Sequence, residues 1–506
     1  MSMTVTPEVR EPSADLTAPR PAPAPRTGGL IAAILALFGF RAGIRPIADN
    51  SMLLHLRTGI TIATTGHIPT RDPYSFTAHL HPWVVESWLA ELSYGLAYRV
   101  GGLHLVVLEQ GILMASLALV VATLGRVDGT ARMIVAAGVP VFAGITLWSQ
   151  RPLLFGLLGL ALLVLVVSRR WSPWWLLPIG WVWVNTHGSF PLGAVWLAAA
   201  YAGSAIDIRT RPRWLEPYVL AFGGSVALGA INPIGPRLVA FPLSVESKRQ
   251  IFQNIVEWKS PDFQTGAALF ALVFIAIGLV VAFRGRTPFV HAVPFVGFLV
   301  LGLISSRNLA PACVLLAPLL ASALKPEDRP VAPDVGDDRP PDPVPSGARA
   351  RRDPLLRIMA AVLAVVAVIF AVDVYRGSGL YLKAYPTEVE TYMIEHGLVR
   401  GHRIATQDFV GDYRSLIEGP NSSGVFIDDR YDMYPARVVS DYRTLLVAGA
   451  GAPAVLRKWD IDEIVWQEDA GLPALLRLTG GWRQVFADGG FDLLVRDPSV
   501  GPRSVG

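Results

Sequence analysis

Apolar runs close to 20 residues long recur along the chain, and few folds accept them. Each is long enough to cross a hydrocarbon core about 30 Å thick. The runs lie at 29–47, 103–124, 133–150, 153–168, 172–186, 190–207, 215–231, 266–284, 288–305, 308–324 and 355–375. They predict about eleven crossings. Only 17% of residues are charged, against about 25% in soluble domains. The expected fold is a polytopic all-α membrane bundle followed by a small C-terminal α/β domain. Residues 1–28, rich in Pro and Arg, read as a disordered cytoplasmic tail. The first run reads as a retained helix, with no small-residue cleavage site after it. The single cysteine, Cys313, excludes an intramolecular disulfide and a cysteine metal cluster. Arg-rich, Ala- and Gly-rich usage suggests a bacterial chain, and the expected location is the plasma membrane.

Short basic loops orient such a bundle. With the N-terminus inside, the inner loops carry Arg126, Arg132, Arg169, Arg170, Arg209, Arg211, Arg213, Arg284 and Arg286. The linker 325–354 is also inside, between a core at 29–324 and a last span at 355–375. The outer face then receives ADNSMLLHLRTG, RDPYSFT, HPWVVESWLAEL, SQRPLL, VNTHGSF, INPIG, VEWKSPDF, SSRNLAP and the domain 376–506. Positive charge alone made this partition, yet it gathers the unusual polar motifs on one side. Residues 86–100 are short for a span and read as an amphipathic surface helix, as do 51–63.

Asp49 follows the first run directly. A carboxylate at a membrane edge must be hydrated, paired or used. One reading makes it the cap of a helix starting at Asn50 or Ser51. Another makes it a site. The first helix, this acid, a long outer loop with HLRTG, GHIPTRDPYSFT and HPWVVESWLAEL, and the later GDY and FIDDRYDMY segments together resemble bacterial multi-pass members of the GT-C superfamily of membrane glycosyltransferases. The architectural resemblance spans about residues 29–375, and its sharpest motifs span 49–91. It implies transfer of a sugar from a polyprenyl-phosphate carrier to an envelope glycan, lipid or protein at the extracytoplasmic face. It implies that Asp49 is the base or orients the acceptor. The chain departs from the family's frequent pair of adjacent acids by having Asn50, and Asp72 is the candidate second acid. Asp72 also suits an ordinary Asp-Pro turn.

Such chemistry needs a carboxylate to take the acceptor proton and cations for the departing phosphate. Arg57, Arg151 and Arg307 are the outer-face candidates, with lipid pairing or snorkelling as the alternative. His55 and Arg57 are two apart and do not share a helix face. Glu86 and Glu91 lie on the second surface helix, where Trp83 and Trp88 read as interfacial anchors. WVNTHGSF places Asn185 and His187 at an outer turn, where they bind sugar hydroxyls or simply close the turn through Gly188. Glu257 faces the acceptor or the C-terminal domain. In that domain GVFIDD and DEIVWQ read as strands and WRQVFADGGFDLLVRD as a hairpin. Asp428, Asp429 and Asp432 at a strand end are candidates for an acceptor glycan or a divalent cation, or are solvated turn charges. Membrane lipid is an expected partner and nucleic acid is not. Two other classes stay open: a transporter or flippase of lipid-linked glycan, and a catalytically inactive scaffold.

Overall fold

The computed structural model describes residues 27–248, 259–285, 287–325, 354–420 and 424–501. It is a helical bundle with a small α/β unit docked on one end. The bundle comprises α1 (Thr27–Gly43), α2 (Asn50–Thr65), α3 (Trp88–Leu124), α4 (Thr130–Ile145), α5 (Leu153–Ser168), α6 (Leu176–Thr186) and α7 (Pro191–Ile208). It continues with α8 (Glu216–Leu228), α9 (Pro236–Ser247), α10 (Gly266–Arg284), α11 (Phe289–Ile304), α12 (Leu309–Ala323) and α13 (Pro354–Val374). Among the described residues, four apolar helical stretches can cross a membrane by length and composition: Trp88–Leu124, Pro191–Ile208, Gly266–Arg284 and Ser306–Ala323. The shorter apolar stretches Gly28–Gly43, Thr130–Ile145, Leu153–Ser168, Phe289–Ile304 and Ile358–Val374 have 10–17 residues.

Burial sorts the helices. Every residue from Leu309 to Ala321 of α12 is buried, as expected of a helix that is apolar all round and sits at the centre. The outer helices instead leave large apolar side chains uncovered, among them Val280 and Phe283 on α10 and Val365 and Val368 on α13. A soluble monomer rarely shows such continuous apolar surface, and a membrane accounts for it.

Helix ends follow local chemistry. α1 stops at Gly43, short of the expected 47, because Pro46 disfavours helical backbone at Arg45. α3 joins the expected surface helix to the expected span. Its two parts meet at a break where Gly101 and Gly102 leave helical geometry, Gly102 at φ 63°. A side chain there would be strained, so the glycines fix where the chain turns from one direction to the other. α4 contains a π-helical turn at Ile134–Gly138.

The C-terminal unit contains α14 (Thr387–Glu395), β1 (Ile404–Thr406), α15 (Asp408–Glu418), α16 (Ala436–Leu446), α17 (Ala452–Lys458), β2 (Glu463–Gln467), α18 (Gly471–Thr479), β3 (Trp482–Asp488) and β4 (Phe491–Arg496). The sheet order is β1-β2-β4-β3, with β1 parallel to β2 and the other pairs antiparallel. DEIVWQ is β2, and the hairpin falls at β3–β4. GVFIDD is not a strand. Val425, Phe426 and Ile427 are fully buried, but their backbone serves the first long loop instead of the sheet. Phe76 N donates to Val425 O at 3.1 Å, and Thr77 Oγ1 donates to Phe426 O at 2.5 Å. The acids that follow therefore lie at an interdomain seam, not at a strand's carboxyl end.

Candidate functional site

The site forms where the loops of one bundle end meet the C-terminal unit. Asp49 is the N-cap of α2. Its Oδ1 accepts from Ser51 N at 3.2 Å, and its Oδ2 lies 3.5 Å from Arg151 Nε. The cap and the pair occupy opposite oxygens and leave Asp49 partly exposed. Arg151 is held at the entry to α5, beside Gln150, whose amide donates to Gly43 O and Arg45 O. The end of α1 and the start of α5 are thereby tied together, and Asp49 and Arg151 with them.

His187 ends α6 and lines a cavity of about 480 Å³ together with Glu86, Arg307, Phe241 and Glu246. Its Nδ1 accepts from Ser189 N at 3.2 Å and lies 2.8 Å from Ser189 Oγ. Burial, reinforced by the charges of Arg307, Arg151 and His55, lowers its pKa to about 3. His187 is thus neutral, with Nδ1 engaged and Nε2 carrying the proton. Glu86 is half-buried on the cavity wall, and burial plus the Asp432 charge push it up to about 7. It exchanges a proton near neutral pH, the property required of an acid–base group.

His55 Nδ1 meets Glu91 Oε1 at 2.7 Å across the α2–α3 contact. Burial would lower the His55 pKa, but the Glu91 hydrogen bond and charge raise it above its ordinary value. Arg57 points elsewhere: its guanidinium packs against Gly419 at the end of α15. Asn185 is fully buried, donating to Trp181 O and accepting from Trp88 Nε1 at 2.9 Å. It fastens α6 to α3 and does not line the cavity. Gly188 lacks the positive φ that would have required glycine in the turn. Glu257 lies outside the described residues.

Asp72 is fully buried. Its oxygens accept from Tyr74 N, Ser75 N and Ser75 Oγ, and one lies 2.7 Å from Arg430. The turn reading describes it. Arg430 is also held by Asp428, through Nε at 2.9 Å and its terminal nitrogen at 2.5 Å, and sits over the Trp83 ring at 4.4 Å. Trp83 and Trp88 are both buried, so neither is an exposed anchor. The fold recruited them as packing for Arg430 and Asn185.

Sequence reasoning named Asp429 but missed Asp412, and the two act together at the seam. Asn50 Nδ2 donates to Asp412 Oδ2 at 2.6 Å, Ser51 Oγ donates to Asp429, and Asp429 N donates to Asp412 Oδ1 at 3.2 Å. Burial pushes Asp429 up to about 6. Asp412 rises well above the carboxylate range through burial and the Asp429 and Asp428 charges. Each neighbouring negative charge disfavours the ionised form of Asp412. Asp432 is also raised to about 6 by burial, and its carbonyl accepts from Lys248. The signal for Asp412 was present in GDY, but nothing in the linear chain joins residue 412 to residue 50.

Asp412, Asp428 and Asp429 each bring one oxygen within 4.8 Å of the others, the spacing a cation site would require. Asp428 is spent on Arg430, and Asp412 on Asn50 and the Asp429 amide. With its oxygens engaged by Arg430, Asn50 and a backbone amide, this donor set does not present an open ligand shell for a divalent ion. No protein-family model matches the chain, and no curated protein matches it. The fold and site therefore define only a class: a helical membrane-type bundle whose polar end is closed by a docked α/β unit.

Proposed function

We propose that the chain is a membrane glycosyltransferase of GT-C type, moving a sugar from a polyprenyl-phosphate carrier to an envelope glycan, lipid or protein. The bundle would cross the membrane about eleven times, with the N-terminus cytoplasmic and the C-terminal unit outside. One observation carries the reading: a partly exposed carboxylate, Asp49, is held 3.5 Å from Arg151, which stands two residues before Leu153 in the wall of the cavity that Glu86, His187 and Arg307 also line. The Arg151 charge reaches His187 on the cavity wall.

In this reading the acceptor hydroxyl gives its proton to Asp49 as its oxygen bonds to the anomeric carbon. The bond from that carbon to the carrier phosphate breaks, and Arg151 and Arg307 take up the phosphate charge. His187 donates to sugar oxygens through Nε2, and Glu86 binds a hydroxyl on the same wall. Asp72 holds Arg430 and is structural. The departure at Asn50 also has a rationale. An aspartate there would face the buried Asp412 carboxylate, whereas the Asn50 amide donates to it. The second acid near Asp49 is contributed in space by the C-terminal unit.

The cap and ion pair of Asp49 support a second reading, an inactive scaffold in which Asp49 is structural. One experiment separates them. A strain lacking the gene is complemented with wild type or Asp49→Asn at matched membrane abundance, and carrier lipids and envelope glycans are compared by mass spectrometry. Transfer requires that only wild type restores the glycan and clears the accumulated polyprenyl-phospho-sugar. Full restoration by Asp49→Asn would overturn the assigned role of Asp49 and favour the scaffold.

A further inference from the structure

The opposite end of the bundle holds a second cavity of about 270 Å³. Arg126 sits beside Gly28 at the start of α1, and Asp49 follows the end of that 17-residue helix. One helix length, about 25 Å at 1.5 Å per residue, separates the two ends. Four cations line this cavity: Arg126, Arg169, Arg170 and Lys325. No carboxylate lines it among the described residues, and none of the four makes an ion pair there. Asp207, nearby, is occupied by the amides of Phe289 and Val290 at 2.8 and 2.9 Å.

The four come from different elements. Arg126 follows α3, Arg169 and Arg170 follow α5, and Lys325 follows α12. Arg169 donates to Thr123 O at 2.8 Å, and Arg170 lies 3.3 Å over the Trp214 ring. These contacts fix two of the cations in position before any ligand arrives. The floor is apolar, with Trp196, Ala200 and Pro318. A bias of basic residues to one side of a membrane explains why such residues occur at this end. It does not explain why four of them converge on one hollow that no carboxylate lines among the described residues. Like charges brought together this way repel unless an anion is shared between them.

We propose that this cavity binds a phosphate group, with the cations on the phosphate and the apolar floor on whatever carries it. An anionic phospholipid at the membrane surface and a free phosphate offer the same chemistry. The proposal rests on membrane embedding, not on the transferase reading.

The test uses the full chain in nanodiscs of phosphatidylcholine, with or without phosphatidylglycerol, and native mass spectrometry of retained lipid. A second arm titrates inorganic phosphate into the phosphatidylcholine discs. The key variant is Arg126→Gln/Lys325→Gln, which leaves the Arg169 hydrogen bond and the Arg170 stack in place. The control, Arg132→Gln/Arg213→Gln, removes two exposed charges that do not line the cavity. Retention of phosphatidylglycerol, weakened about thirtyfold in the key variant and unchanged in the control, supports a lipid headgroup. Saturable phosphate binding with the same dependence, without lipid retention, supports a soluble phosphate. Absence of both, or equal loss in both variants, overturns the proposal. Each cation also follows a helix C-terminus, where it offsets the dipole. That role alone predicts lower thermal stability with no change in either binding arm. Arg126→Lys/Lys325→Arg conserves charge and retains binding if the site is real, which guards against misfolding of the glutamine variant.

Discussion

Asp49 shows why residue identity and residue role must be separated. It caps α2 and pairs with Arg151, so removing it changes two things. Asparagine is as good an N-cap as aspartate, whereas alanine is not. Asp49→Asn is therefore expected within about 0.5 kcal/mol of wild type by thermal unfolding, and Asp49→Ala about 1 kcal/mol below it. Loss of transfer in both, with that stability order, assigns the defect to charge; activity tracking stability assigns it to the cap. The carboxylates at the seam give a pH prediction. Glu86 at about 7 and Asp429 and Asp432 at about 6 bind protons more tightly folded than unfolded. Their contribution is complete below the ordinary carboxylate pKa and is lost as pH rises through 6 to 7. Melting temperature should fall across that window and level off above it. Glu86→Gln should flatten the fall, removing up to about 3 kcal/mol of pH dependence. The identities of Asp49, Glu86 and His187 as site candidates were legible in the chain. The burial of Asp72 and Asn185 was not, because a polar residue beside a turn reads the same whether it faces water or a partner.

At the scale of elements, hydrophobic runs located the helices well, because apolar length is a local property of the chain. What they could not show is how closely two elements approach. α2 and the first part of α3 touch at Gly59 and Gly95, where a Cβ on Gly95 would lie 2.0 Å from Gly59 O and one on Gly59 would lie 1.9 Å from Glu91 O. This contact sets the His55–Glu91 distance. Gly95→Ala should push the helices apart, lower stability by about 1–3 kcal/mol and weaken the site. Gly223→Ala, a helical glycine with open space around it, should stay within about 0.5 kcal/mol. Thermal unfolding of the pair in detergent checks this, and equal losses would mean that generic helix effects dominate. Strand assignment failed at GVFIDD for a related reason. An apolar extended segment satisfies its backbone with whichever neighbour arrives, and here that neighbour is the loop at Phe76 and Thr77.

At the scale of the whole molecule, the C-terminal unit is an integral part of the polar end and not an appendage. Asn50 and Ser51 hold Asp412 and Asp429, and Arg430 spans the seam from Asp428 to Asp72, under Trp83 and Tyr74. None of the contacts that cross the seam is visible as a linear motif, since each joins residues more than 300 positions apart; Asn50 and Asp412 are 362 apart. Arg430 is the single residue whose loss should separate the units. Arg430→Met fills similar space but leaves Asp72 and Asp428 buried with no cation, and breaking a buried pair in this way costs about 3–5 kcal/mol. Water must then enter the seam. The expected result is rapid proteolysis between α13 and α14, release of the C-terminal unit and, on the proposed transferase reading, loss of transfer with the bundle retained in the membrane fraction. Arg430→Met combined with Asp72→Asn and Asp428→Asn removes the stranded charges and should recover much of the protease resistance. Recovery of resistance without recovery of transfer would show that the seam must be charged as well as closed. If Arg430→Met alone resists protease as wild type does, the acids at Asn50 and Ser51 hold the unit by themselves.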